Sequence, residues 1–112
     1  MKKRVCILYT GGTIGMRSTP MGYAPDPGYL AQTMASMPEF ANPEVPDYVI
    51  REHSPLLDSS NMDPRHWLAI ARDIAAAYLE FDGFIVIHGT DTMAYTASAF
   101  SFMLEGLAKP VI

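Results

Sequence analysis

The stretch Val5-Cys6-Ile7-Leu8-Tyr9-Thr10-Gly11-Gly12-Thr13-Ile14-Gly15 decides how this chain is read. Five consecutive apolar residues run into a glycine turn that carries a hydroxyl. Continuous apolar runs, as opposed to alternating ones, mark strands covered on both faces, the habit of parallel sheets. A second stretch repeats the arrangement, Phe84-Ile85-Val86-Ile87 running into His88-Gly89-Thr90-Asp91-Thr92. In open parallel α/β sheets ligands bind at the carboxyl ends of strands. Thr13, Thr90 and Asp91 therefore read as two halves of one site.

Outward from these stretches, strands are predicted over Arg4 to Tyr9, Tyr48 to Glu52 and Gly83 to Ile87, with another starting at Lys109 to Ile112. Helical patterns lie between them. Asp63 is a good N-cap with Pro64 at the first helical position, and Trp67, Ile70, Ala71, Ile74 and Tyr78 recur at helical spacing. Met93, Ala97, Phe100, Met103, Leu104 and Leu107 form a second stripe with Gly106 near its end. A weaker helix covers Gly28 to Met37. Strands alternating with helices predict a layered α/β fold, a sheet of parallel strands with helices on both faces.

Two proline-rich passages interrupt this pattern. Met16 to Pro27 carries Pro20, Gly22, Pro25 and Pro27, and Pro38 to Asp47 carries Pro38, Pro43 and Pro46. The first follows the Thr13 turn and is expected to be a long segment without regular structure. It reads either as a lid over the site or as a plain connection.

Composition narrows the function classes. With 49% apolar and 18% charged residues, the chain suits a globular domain with a sizeable core. Its formal net charge of -4, with no basic cluster beyond Lys2-Lys3-Arg4, argues against a nucleic-acid partner. No apolar run approaches a membrane span, and the basic start leads into too short an apolar run for a signal peptide. Cys6 is the sole cysteine and sits inside the first apolar run, where it reads as a small buried hydrophobe in a reducing compartment.

A threonine hydroxyl is a poor nucleophile at neutral pH and needs a base to take its proton. Glycines before Thr13 let backbone N–H groups approach a reacting carbonyl and stabilise an oxyanion. Thr90 beside Asp91 forms a pair that a lysine or another base would complete as a proton relay. Gly11-Gly12-Thr13-Ile14-Gly15 has neither the spacing of a dinucleotide loop nor the lysine of a P-loop, which makes nucleotide binding a poor fit. Each loop alone would pass for a tight strand-to-helix turn; the two together argue for a site.

The strings TGGTIG (residues 10–15) and GFIVIHGTDTMAYTA (residues 83–97), with the spacing between them, resemble the two signature motifs of the bacterial L-asparaginases. Met37-Pro38-Glu39-Phe40 and Leu57-Asp58-Ser59-Ser60-Asn61-Met62 look most like the cytoplasmic type I branch. The resemblance runs through essentially the whole chain. It implies that residues 1–112 are the N-terminal part of the larger asparaginase α/β domain. The catalytic lysine and a smaller C-terminal domain would then lie beyond Ile112, leaving residues 1–112 inactive and poorly stable alone.

By the same resemblance, Thr13 matches the nucleophile, and Thr90 and Asp91 match the pair that works with the lysine. Tyr23 matches a tyrosine on the mobile loop that closes over the nucleophile. Asp58, Ser59 and Ser60 match the segment that holds the substrate α-carboxylate, and Asp91 matches the carboxylate that receives its α-ammonium. The implied reaction is hydrolysis of L-asparagine to L-aspartate and ammonia through an ester on Thr13. No cofactor and no metal is implied, and the full-length form would be a homodimer or homotetramer in the cytoplasm. Chemistry agrees, since asparagine brings a cation, an anion and a neutral amide, which these side chains complement.

Other residues read as structural. His88 ends a buried strand and reads as a satisfied structural group before it reads as a base. His53 and His66 show no partner in the sequence and are expected at the surface. Trp67 reads as a packing anchor, and the eight methionines as gap-filling packing. Two alternatives to the hydrolase stand. One is the asparaginase-like subunit of a transfer-RNA-dependent amidotransferase, which usually carries a domain before the first motif, whereas TGGTIG here follows nine residues after Met1. The other is a non-catalytic amino-acid-binding module.

Overall fold

The structure, a computed structural model, describes residues 2–112. Its sheet is built from β1 (Arg4–Tyr9), β4 (Asp47–Glu52) and β5 (Gly83–Ile87), all parallel, in the order β4-β1-β5. Cys6 stands opposite Val49 on one side and Phe84 on the other. The chain thus leaves the centre for one edge and then crosses to the other, so the topology reverses at β1. Such a reversal opens a crevice at the carboxyl ends of the strands, here those of β1 and β5.

Side chains of β1 alternate between the two faces, as strand geometry requires. Cys6 and Leu8 point to a core with Ile70, Ala71, Ile74 and Ala77 of α2 (Pro64–Ala77) and Phe100 of α3 (Met93–Met103). Ile7 and Tyr9 point to the opposite face, against Leu30 and Met34 of α1 (Tyr29–Ser36). Helices therefore cover both faces. Truncating Ile70 or Ile74, which are 0% and 2% exposed, would cost about 2–5 kcal/mol in lost contact and residual cavity.

α2 begins as its sequence dictates. The Asp63 carboxylate accepts the N–H groups of Arg65 and His66, Pro64 occupies the first turn, and His66 Nδ1 accepts the Asp63 N–H in return. No helix among the described residues is long and apolar enough to cross a membrane.

Four expectations need correction. Met16 to Pro27 is not structureless, because β2 (Met16–Thr19) and β3 (Gly22–Pro25) pair as an antiparallel hairpin. Its strands are four residues each and bury no face, so they lack the alternation that would announce them. α3 ends at Met103, not near Gly106, and of its predicted stripe Phe100 is buried while Met93, Met103 and Leu107 are exposed. The last predicted strand amounts to a parallel bridge between Val111 and Phe84, held by the Phe84, Val86 and Ile112 N–H groups. His53 and His66 are half-buried and partnered. His53 Nδ1 lies 2.6 Å from Asp73 Oδ2, and His66 belongs to the cap.

Candidate active site

The cleft at the end of the sheet is assembled around Thr10. Its N–H and its hydroxyl both donate to the Ile87 carbonyl, at 2.9 and 2.8 Å, and its own carbonyl accepts the Leu57 N–H at 2.7 Å. One buried residue thereby ties the end of β1 to the end of β5 and to the segment before Asp58. Thr10 lies inside the first motif, yet its joining role escapes sequence reading because its partners stand 77 and 47 positions away in sequence number.

Close backbone approach explains the glycines. A Cβ on Gly11 would lie 1.9 Å from the Leu57 carbonyl oxygen, and Gly11 has φ +153°. A Cβ on Gly12, at φ +109°, would lie 3.3 Å from both the Cα and the N of Gly89, so the two motif loops touch backbone to backbone. Only residues without side chains permit that approach.

The contact brings Thr13, Asp58, Ser59, Thr90 and Asp91 around one cleft of about 120 Å³, floored by Gly12 and Gly89. A cleft holding the volume of about four waters suits a small polar solute. Ser59 is the buried member and crosses between the loops. Its hydroxyl accepts the Asp91 N–H at 3.3 Å, and its carbonyl accepts the Thr92 hydroxyl at 2.7 Å. Thr13, Thr90 and Asp91 are exposed. The Ser60 N–H and hydroxyl hold the Asp58 carboxyl below its usual range, so Asp58 adds a second negative charge to the rim.

Two predicted residues stand apart. Ser60 is exposed and turned to Asp58, outside the cleft lining. Tyr23 lies on β3 of the hairpin, 65% exposed, and also outside the lining, which Met16 reaches from the base of that hairpin. Lys109 is bound elsewhere. Its ammonium donates to the Tyr78 carbonyl and lies 4.8 Å from the centre of the Tyr78 ring. Two larger cavities, of about 620 and 380 Å³, contain neither Thr13, Thr90 nor Asp91.

Behind the second loop runs a polar chain whose middle member, Thr96, is buried, with Trp67 and His88 half-buried on either side. Trp67 Nε1 donates to the Thr96 hydroxyl at 2.8 Å, and that hydroxyl lies 2.8 Å from His88 Nε2. His88 Nδ1 bonds the Gly89 carbonyl. A carbonyl only accepts, so Nδ1 carries the proton and Nε2 is left to accept from Thr96 in the neutral ring. His88 is thus a structural group and Trp67 an anchor, as their sequence positions suggest. Behind the first loop Tyr9 is fully enclosed, and its phenol donates to the Gly12 carbonyl at 2.6 Å. Burial, with a further push from the Glu52 carboxylate, raises that phenol above its usual value, so it stays a donor.

These features define an α/β protein with a small hydroxyl- and carboxylate-lined cleft at the switch point of a parallel sheet. The family described as Asparaginase, N-terminal matches residues 4–112. The chain is 59% identical over 111 residues to L-asparaginase 1 of Escherichia coli (strain K12), covering 99% of this chain and 33% of that protein. It superimposes on the crystal structure of L-asparaginase I from Vibrio cholerae with a TM-score of 0.90 at 54% identity, covering 99% of this chain and 33% of that one. It is 40% identical to a subunit of the glutamyl-tRNA(Gln) amidotransferase of Methanopyrus kandleri, over 96% of this chain and 24% of that protein. The chain belongs to the asparaginase family. It spans about one third of the length of the two L-asparaginases.

Proposed function

We propose that this chain carries the nucleophile-bearing portion of an L-asparaginase of the cytoplasmic type I branch, hydrolysing L-asparagine to L-aspartate and ammonia. Supporting this reading above all is the meeting of Thr13 with Ser59, Thr90 and Asp91 in one small cleft. In the proposed reaction the Thr13 hydroxyl attacks the side-chain amide carbon of asparagine. Backbone N–H groups of the glycine turn steady the oxyanion that develops, and ammonia leaves as the Thr13 ester forms. Water then attacks the ester, releasing aspartate and restoring the hydroxyl.

The substrate α-ammonium sits against the Asp91 carboxylate, with Asp58 adding negative charge at the rim. Ser59 holds the α-carboxylate through its hydroxyl, and Ser60 acts through Asp58. Thr90 and Asp91 handle protons together with a lysine supplied from beyond Ile112. Tyr23 comes to the cleft when the β2–β3 hairpin closes. No cofactor takes part, and the extended form assembles as a homodimer or homotetramer.

Ammonia release from L-asparagine tests this reading in the chain as it stands and in a form extended to the length of its relatives. Turnover is expected only in the extended form, and Thr13→Ala is expected to abolish it. Turnover that survives Thr13→Ala would refute the nucleophile. Asparagine binding without turnover in the extended form would replace the hydrolase by an amino-acid sensor.

A further inference from the structure

We propose that Tyr9 is the positioning residue of the Thr13 loop. Its phenol holds the Gly12–Thr13 peptide in the one orientation that presents Thr13 to the cleft. The proposal rests on the reading of Thr13 as nucleophile and goes beyond it to a residue that never touches substrate.

Three observations carry it. The Gly12 carbonyl accepts two hydrogen bonds, from the Tyr9 hydroxyl at 2.6 Å and from the Gly15 N–H at 3.3 Å, so both of its lone pairs are engaged. The peptide unit is planar, so a carbonyl pinned toward the buried phenol turns the Thr13 N–H to the opposite side, away from the core. That N–H opens the short 3-10 turn Thr13–Gly15 and has no partner within it. It is therefore free to donate to a substrate oxygen beside its own hydroxyl.

The ring itself completes the clamp. A Cβ on Gly15 would lie 2.3 Å from Tyr9 Cζ and 2.4 Å from its hydroxyl oxygen, so the turn after Thr13 is seated directly on the tyrosine. Tyr9 is 0% exposed and packed with Leu30 and Met34, which leaves the phenol no alternative position. Gly12 at φ +109° could otherwise adopt many conformations. Tyr9 removes that freedom at the residue before the nucleophile.

A phenol that merely satisfies itself in the core would matter to stability alone, whereas a positioning residue matters to the rate. The test is Tyr9→Phe in the extended, active protein, with kcat, KM and Tm measured together. The expected result is a kcat lower by about ten- to hundredfold with KM within about twofold, since small misplacements of a reacting group carry losses of that size. Gly15→Ala, which pushes the ring aside, is expected to lower kcat in the same way. Combined with Tyr9→Phe, it should add less than its separate effect, because both act on one carbonyl. A Tyr9→Phe protein with unchanged kcat, or one whose only change is a lower Tm, would overturn the proposal. Losses that multiply in the double variant would also overturn it. Thr13→Ala in parallel separates the two readings, since turnover without Thr13 refutes the nucleophile whatever Tyr9 does.

Discussion

The Ser59 hydroxyl accepts the backbone N–H of Asp91 at 3.3 Å, joining two loops that lie 32 residues apart. Ser59 is at once the buried member of the cleft lining and the tie that sets where the Asp91 loop stands. Its place leaves no space on the other side, because a Cβ at Gly89 would lie 2.5 Å from its Oγ and 2.8 Å from its Cβ.

Gly89→Ala is therefore expected to displace Ser59 and lower asparagine turnover in the extended protein by at least about tenfold, chiefly through KM. Ser59→Gly added to it makes room for the new methyl and should restore Tm without restoring KM. A double variant with normal KM would show that Ser59 does not hold substrate.

Gly11→Ala meets the Leu57 carbonyl, a backbone atom that cannot swing away. Leu57 is in turn bonded to Thr10, so the strain enters the joint between β1 and β5. We expect a loss of more than about 3 kcal/mol in urea unfolding, within the range reserved for core disruption.

Thr96→Val keeps the shape and removes the hydroxyl from the Trp67–Thr96–His88 chain. Trp67 Nε1 and His88 Nε2 then both lack the partner they have here. Because both residues are half-buried, the total cost is expected at about 1–3 kcal/mol, together with changed His88 ring signals in NMR.

Asp63 contributes to the loss of stability in acid. Its carboxyl is held at about 2, first by the Arg65 side chain and then by the Arg65 and His66 N–H groups, against 3.8 in an unconstrained chain. The folded state therefore binds the proton less readily than the unfolded one. Its stabilisation is complete above about pH 5 and lost as pH falls from about 4 to about 2. Asp63→Ala should lower Tm at pH 7 and flatten the acid limb over that window, as thermal unfolding across pH would measure.

Much of the architecture was legible because it is encoded locally. The apolar run Arg4 to Tyr9, the Asp63-Pro64 helix start and the glycine turns each depend on near neighbours, and each appears where expected. The β2–β3 hairpin was not legible, since strands exposed on both faces have no period to detect. His53 offered no local sign of Asp73, twenty residues later on α2. The end of α3 near Met103 was likewise invisible, because its apolar residues continue past the point where the helix stops.

Local sequence was enough to place Thr13 after its glycines at the end of β1, Thr90 beside Asp91 after β5, and Ser59 in the loop before the helix that Asp63 starts. Tertiary structure decided which of them meet. The β4-β1-β5 order sets the ends of β1 and β5 side by side, and Thr10 locks them to Leu57. Ser59 then falls between the loops, Ser60 and Tyr23 fall outside the cleft, and Tyr9 comes to lie beneath Gly12 and Gly15. Periodicity and turn chemistry act over a few residues, whereas these contacts depend on how distant strands pack, which no short window of sequence contains.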